Sequence, residues 1–199
     1  MVCGWRRRLP MDGWQGRPTA AAHRRRRPIG DFQVQFLYFG RMDPPHVGHL
    51  VRVAAVQQRW QPTRTVVVPL DAYDGKIPGR RIMRTRMAAA LAEATDALYT
   101  DQGLAVVRPE RLLAQLAEAD ETTVILFDPE LPPGMDAASF GDLPDGIQLI
   151  TDAQLELPRG LPTREGVLRA IRNGSPTWPD DLVPGVAHLI DSFDVYAAS

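Results

Sequence analysis

The sequence is short of several things, and each shortage closes off a class of protein. Cys3 is the only cysteine in 199 residues, which excludes an intrachain disulfide framework and any zinc site built from several thiolates. No stretch approaches the roughly twenty consecutive apolar residues of a membrane-spanning helix. The N-terminus also lacks the apolar core of a secretory signal, so a soluble, cytoplasmic protein with no membrane partner is expected. Lysine is almost absent as well: Lys76 stands alone among the arginines. What is present, 44% hydrophobic and 24% charged residues, suits one compact domain and rules out disorder as the overall state.

The formal charge of −1 conceals an asymmetry. Residues 1–30 carry eight arginines and one aspartate, whereas residues 31–199 carry 15 basic and 23 acidic side chains. The arginine clusters lie among Gly, Pro and polar residues with no helical or strand period, so residues 1–30 are expected to be a basic, disordered tail. An arginine run with two tryptophans suits RNA or another anionic surface, and nucleic acid is expected as a partner only through this tail. The other reading is a dispensable solvated extension.

From residue 31 the pattern is regular. Residues 32–39 (FQVQFLYF) form an aromatic and β-branched run ending at Gly40, the signature of a buried strand. Residues 48–60 read as a helix, 65–70 as a strand, 81–96 as an alanine-rich helix, 104–107 as a strand and 109–119 as a helix. Strands at 122–127 and 147–150 follow, then helices at 164–172 and 181–192. This alternation predicts a Rossmann-like, doubly wound α/β domain with a mostly parallel sheet, over residues 31–199. Ligands of such sheets bind at the carboxyl ends of the strands, where the chain order reverses.

The first such loop reads Gly40-Arg41-Met42-Asp43-Pro44-Pro45-His46-Val47-Gly48-His49 and runs straight into the first helix. A helix start offers free backbone N–H groups and the positive end of its dipole. Two imidazoles three residues apart add further donors, and Gly40 and Gly48 let a ligand approach the backbone. An anion is the natural occupant, and phosphate oxygens could accept from these groups.

The segment FGRMDPPHVGHL resembles the GxFDPxHxGH signature of the nucleotidyltransferase superfamily, which includes the mononucleotide and pantetheine-phosphate adenylyltransferases and the related cytidylyltransferases. Gly40, Asp43, Pro44, His46, Gly48 and His49 agree with it. The resemblance implies a one-step transfer in which an acceptor phosphate attacks the α-phosphate of a nucleoside triphosphate and pyrophosphate leaves, usually with Mg²⁺ helping. His46 and His49 would be the catalytic pair, with Gly40, Arg41, Asp43 and Gly48 around the nucleotide phosphates. Asp43 has an equal reading as a turn residue before Pro44.

A second landmark of that superfamily, an ISSTxIR-type helix start, is matched only in part by Leu161 to Gly174. Thr163 falls on a hydroxyl position, and either a local shift of register lets Arg164 or Arg169 reach the phosphates or triphosphate binding is weakened here. Thr163 also reads as a plain helix cap. For the acceptor, Lys76, Arg84 and Asp128 match the binding cleft implied by the resemblance, although the glycine and tryptophan usual around Asp128 are missing. ATP with nicotinate or nicotinamide mononucleotide is the leading expectation, in either direction of the reaction. Transfer to another phosphorylated acceptor such as pantetheine phosphate, use of CTP, and a noncatalytic nucleotide-binding module are the alternatives. A homo-oligomer is left open.

Overall fold

The computed structural model describes residues 34–70, 78–100, 122–131, 143, 145–193 and 196, with residues 78–81 described by their backbone alone. The tail at 1–30, Lys76, and the strand and helix expected at 104–107 and 109–119 lie outside the described residues.

The run after residue 32 becomes strand β1, Val34–Gly40. Its side chains from Phe36 to Phe39 are fully buried on both faces, as expected of a central strand in a parallel sheet. Alternation sends Phe36 and Tyr38 to one face and Leu37 and Phe39 to the other, so two apolar layers form on opposite sides of the sheet. Helix α1, Val47–Trp60, buries His49, Arg52, Val53 and Val56 at the i, i+3, i+4, i+7 spacing of one helical face. It ends at Gln61, whose left-handed backbone returns its N–H to Gln57 O.

Strand β2 (Arg64–Pro69), helix α2 (Pro78–Ala94) and strand β3 (Leu98–Tyr99) follow, then β4 (Thr122–Phe127) and β5 (Ile147–Ile150). Helices α3 (Arg164–Arg172) and α4 (Val186–Phe193) come last. The five strands make one sheet, every pair parallel, in the order β3-β2-β1-β4-β5. This is the doubly wound α/β architecture that the alternation predicts.

Two differences from the sequence reading have clear causes. Strand β3 has only two residues, with Leu98 55% exposed, too short to leave any periodic signal. The last helix begins at Val186 rather than near 181, because the residues before it are held elsewhere. Leu182 bridges to His46, Val183 N–H donates to Pro45 O at 3.3 Å, and Gly185 takes a φ of 83°. That bridge ties the C-terminal region to the loop after β1. Among the described residues no helix is long and apolar enough to cross a membrane.

Candidate functional site

The order of strands reverses between β1 and β4, and Gly40, His46, His49 and Asp128 meet at the carboxyl ends of those two strands. Asp128 N–H donates to Phe39 O at 2.8 Å, which carries the β4 ladder one residue further and sets Asp128 beside Gly40. A Cβ built on Gly40 would stand 3.3 Å from Asp128 Oδ2 and 3.1 Å from the Met42 methyl, so the glycine allows this close approach.

The His-x-Gly-His spacing acquires a structural meaning at the start of α1. His46 is the residue that caps the helix, and its Nδ1 accepts the Gly48 N–H at 3.1 Å. Three residues on, His49 Nδ1 accepts the His46 N–H at 3.0 Å. This is the reciprocal logic of a capping box, with imidazoles in place of the usual hydroxyl and carboxylate. Gly48 is needed in between: a Cβ there would lie 2.8 Å from His46 Cε1 and 2.9 Å from Pro162 O.

The capping has a chemical consequence. A backbone N–H can only donate, so each Nδ1 must offer a lone pair, and each neutral ring therefore carries its hydrogen on Nε2. His46 Nε2 donates to Glu130 Oε2 at 3.0 Å. His49 Nε2 lies 2.7 Å from the Asp128 carboxylate Oδ2, a close contact without the alignment of a full hydrogen bond. Both imidazoles are fully buried, with ring centroids 4.0 Å apart. Burial pulls the His46 pKa below its usual value against the attraction of Glu130, so its neutral form prevails near pH 7.

The two carboxylates differ in how firmly they are held. Asp128 accepts from Tyr38 Oη at 3.3 Å and from Glu130 N–H at 2.9 Å, besides meeting His49, and its side chain is entirely buried. Burial opposes its ionisation, yet the His49 contact, the Glu130 N–H and the nearby Arg52 win and bring its pKa to about 2. Burial, aided by Asp128, raises the Tyr38 pKa and keeps that hydroxyl a donor. Glu130 sits in the turn Asp128-Pro129-Glu130-Leu131, closed by Leu131 N–H to Asp128 O. Its carboxylate accepts from His46 and, through both oxygens, from the Arg164 N–H at 2.9 and 3.0 Å, at the start of α3. Burial again opposes ionisation, but these donors lower its pKa.

The other expected residues are placed as follows. Thr163 caps α3, its Oγ1 accepting from Gly166 N–H at 3.2 Å. Arg164 Nε donates to Asp43 O at 2.7 Å. Asp43 is buried, and Arg84 donates to its Oδ2 through Nε at 3.0 Å and a terminal nitrogen at 2.8 Å. The hydroxyl of Tyr196, from beyond α4, donates to Oδ1. Asp43 thus links the loop after β1 to α2, α3 and the C-terminal region. Arg41 has a buried Nε without a hydrogen-bond partner. Arg169 is not brought to the histidines: its side chain is exposed and pairs with Glu165 one turn back at 3.2 Å.

Glu130, Tyr38, Tyr196 and the Arg52–Asp152 pair, 2.9 Å apart, are missing from the sequence-derived set. A signal for Glu130 exists, since an Asp-Pro-x turn at the carboxyl end of a strand fixes where the third residue points.

His46, His49 and Glu130 bring one potential ligand atom each within 4.8 Å of one another. They do not fit a resident Mg²⁺, which takes oxygen ligands in octahedral geometry. Both imidazoles present Nε2–H, and binding a metal there would move each hydrogen to Nδ1, against a backbone N–H. Both Nε2 atoms face carboxylates of the chain itself. Comparison with known proteins returns no matching family model and no matching curated protein.

Proposed function

We propose that this site binds the phosphates of a nucleoside triphosphate and that the protein transfers a mononucleotide to a phosphorylated acceptor. The observation that supports it is the paired orientation of His46 and His49. Capping fixes both tautomers, so two neutral Nε2–H donors and a helix N-terminus meet at the switch point of a parallel sheet.

An oxygen of the acceptor phosphate attacks the α-phosphorus, a new P–O bond forms, and the bond to the bridging oxygen breaks with its electron pair leaving on pyrophosphate. The attacking phosphate is already ionised, so no general base is required, and neutral imidazoles suffice. His46 donates to a phosphate oxygen as charge develops, its ring already oriented by the Gly48 N–H, and His49 stands beside it against Asp128. Gly48 keeps the rings against the backbone that orients them. Mg²⁺ enters as part of the nucleotide complex and not as a resident of the protein. ATP with nicotinate or nicotinamide mononucleotide is the first pair to test.

A noncatalytic nucleotide-binding module is the second reading. It draws support from Arg169, which faces solvent instead of the histidines. The deciding experiment is pyrophosphate release from Mg²⁺ with ATP or CTP across a panel of phosphorylated acceptors, with His46→Ala as control. Release that needs both His46 and one acceptor supports the transferase; nucleotide binding without release on any acceptor supports the module.

A further inference from the structure

The donors of the anion site are already occupied, and the occupant belongs to the protein. His46 Nε2–H and the Arg164 N–H, the groups a phosphate would use, both end on the Glu130 carboxylate at 2.9 to 3.0 Å. His49 Nε2 is met by the other carboxylate, Asp128 Oδ2, 2.7 Å away and fully buried like it.

The two carboxylates are not equivalent. Asp128 is entirely buried and held by Tyr38, His49 and the Glu130 N–H, so withdrawing it would strand a buried charge. The Glu130 side chain is 20% exposed, on a turn. Rotation about its own side-chain bonds would take the carboxylate to solvent while its backbone N–H stays on Asp128.

We propose that Glu130 is the resident anion of the phosphate site, displaced when a polyphosphate binds, and that it thereby selects polyphosphates over inorganic phosphate. This rests on reading the donor set as a phosphate site. A singly or doubly charged small anion must replace a carboxylate that is already well bonded and tethered at high effective concentration. A polyphosphate makes additional contacts beyond the exchanged ones and tolerates that competition. Selectivity then arises from an anion built into the chain as well as from new contacts.

The test measures binding of inorganic phosphate and of tripolyphosphate by titration calorimetry to the full chain, to Glu130→Ala and to Glu130→Gln. The alanine frees the donors; the glutamine keeps the shape without the charge and guards against a folding defect, checked by far-ultraviolet circular dichroism. The expected result is at least a tenfold gain in phosphate affinity in both variants, a smaller gain for tripolyphosphate, and loss of the gain when His46→Ala is added. Equal or weaker phosphate binding in the variants, with tripolyphosphate still bound, overturns the role of Glu130 and leaves the phosphate site standing. If neither anion binds any of the proteins, the phosphate-site reading fails and this proposal with it.

Discussion

The backbone N–H of His46 donates to Nδ1 of His49, 3.0 Å away, so the residue that caps helix α1 also sets the tautomer of its partner. Together with the Gly48 N–H on His46 Nδ1, this turns a local helix-capping arrangement into a pair of oriented donors. The capping residues and the candidate catalytic residues are the same two side chains.

His46→Ala removes one of those donors. On the scale of oxyanion-type donors the loss is about 3 kcal/mol of transition-state stabilisation, or roughly a hundredfold in turnover. Pyrophosphate release at saturating nucleotide reads it directly. A drop confined to nucleotide affinity would give His46 a binding role alone.

His49→Ala should also damage the fold, because it leaves Asp128 charged, buried and short of its partner. Loss of a polar partner from a buried charge costs about 1.5–3 kcal/mol. Adding Asp128→Asn to His49→Ala should recover part of that stability, although not the activity. Urea unfolding of the two single variants and the double variant measures the coupling.

Gly48→Ala places a methyl 2.8 Å from the His46 ring and 2.9 Å from Pro162 O, and the backbone oxygen cannot swing aside as a side-chain tip can. Overpacking of this kind costs about 1–3 kcal/mol. The same shift misdirects His46 Nε2, so anion binding should fall together with the melting temperature. Gly40→Ala, whose nearest contacts are 3.1 to 3.4 Å, should be milder in both measurements.

Acid should weaken the fold in a window defined by Asp128. Its pKa falls from 3.8 when unperturbed to about 2 in the fold, so the unfolded chain binds the proton more readily between those values. The stabilisation is complete above about pH 4 and is lost as the pH falls toward 2, amounting to about 2 kcal/mol. Glu130 has the same sign, since its pKa is also lowered. Equilibrium unfolding of the parent and Asp128→Asn from pH 5 to pH 2 should show the dependence diminished in the variant.

Tyr196→Phe removes a donor to buried Asp43 and should destabilise by about 1.5–3 kcal/mol, the range for hydrogen bonds to charged groups. Arg84→Ala removes two hydrogen bonds and the opposing charge from the same carboxylate, so its effect on stability should exceed that of Tyr196→Phe. If Arg84→Ala instead raises the KM for acceptor and leaves the unfolding transition unmoved, Arg84 serves acceptor recognition.

The apolar run through Phe39, the alternation of strands and helices, and the loop carrying His46, Gly48 and His49 are all legible in the sequence. They depend on neighbours within a few residues: burial of a continuous strand, the helical period, and the capping of α1 by its own first turn. The Asp128-Pro129-Glu130 turn also closes through its own residues, yet only Asp128 stands out in the sequence. What the turn faces is another matter. Glu130 meets His46 from 84 residues away and Arg164 from 34, and Tyr196 reaches Asp43 across 153. No local pattern encodes those encounters, since they follow from parallel β1 and β4 bringing their carboxyl ends side by side and from the Leu182 bridge drawing the C-terminal region onto the loop. The sequence alone determined the donors and the element that orients them; the tertiary structure decided which carboxylates stand opposite, because only the packed sheet sets those distances.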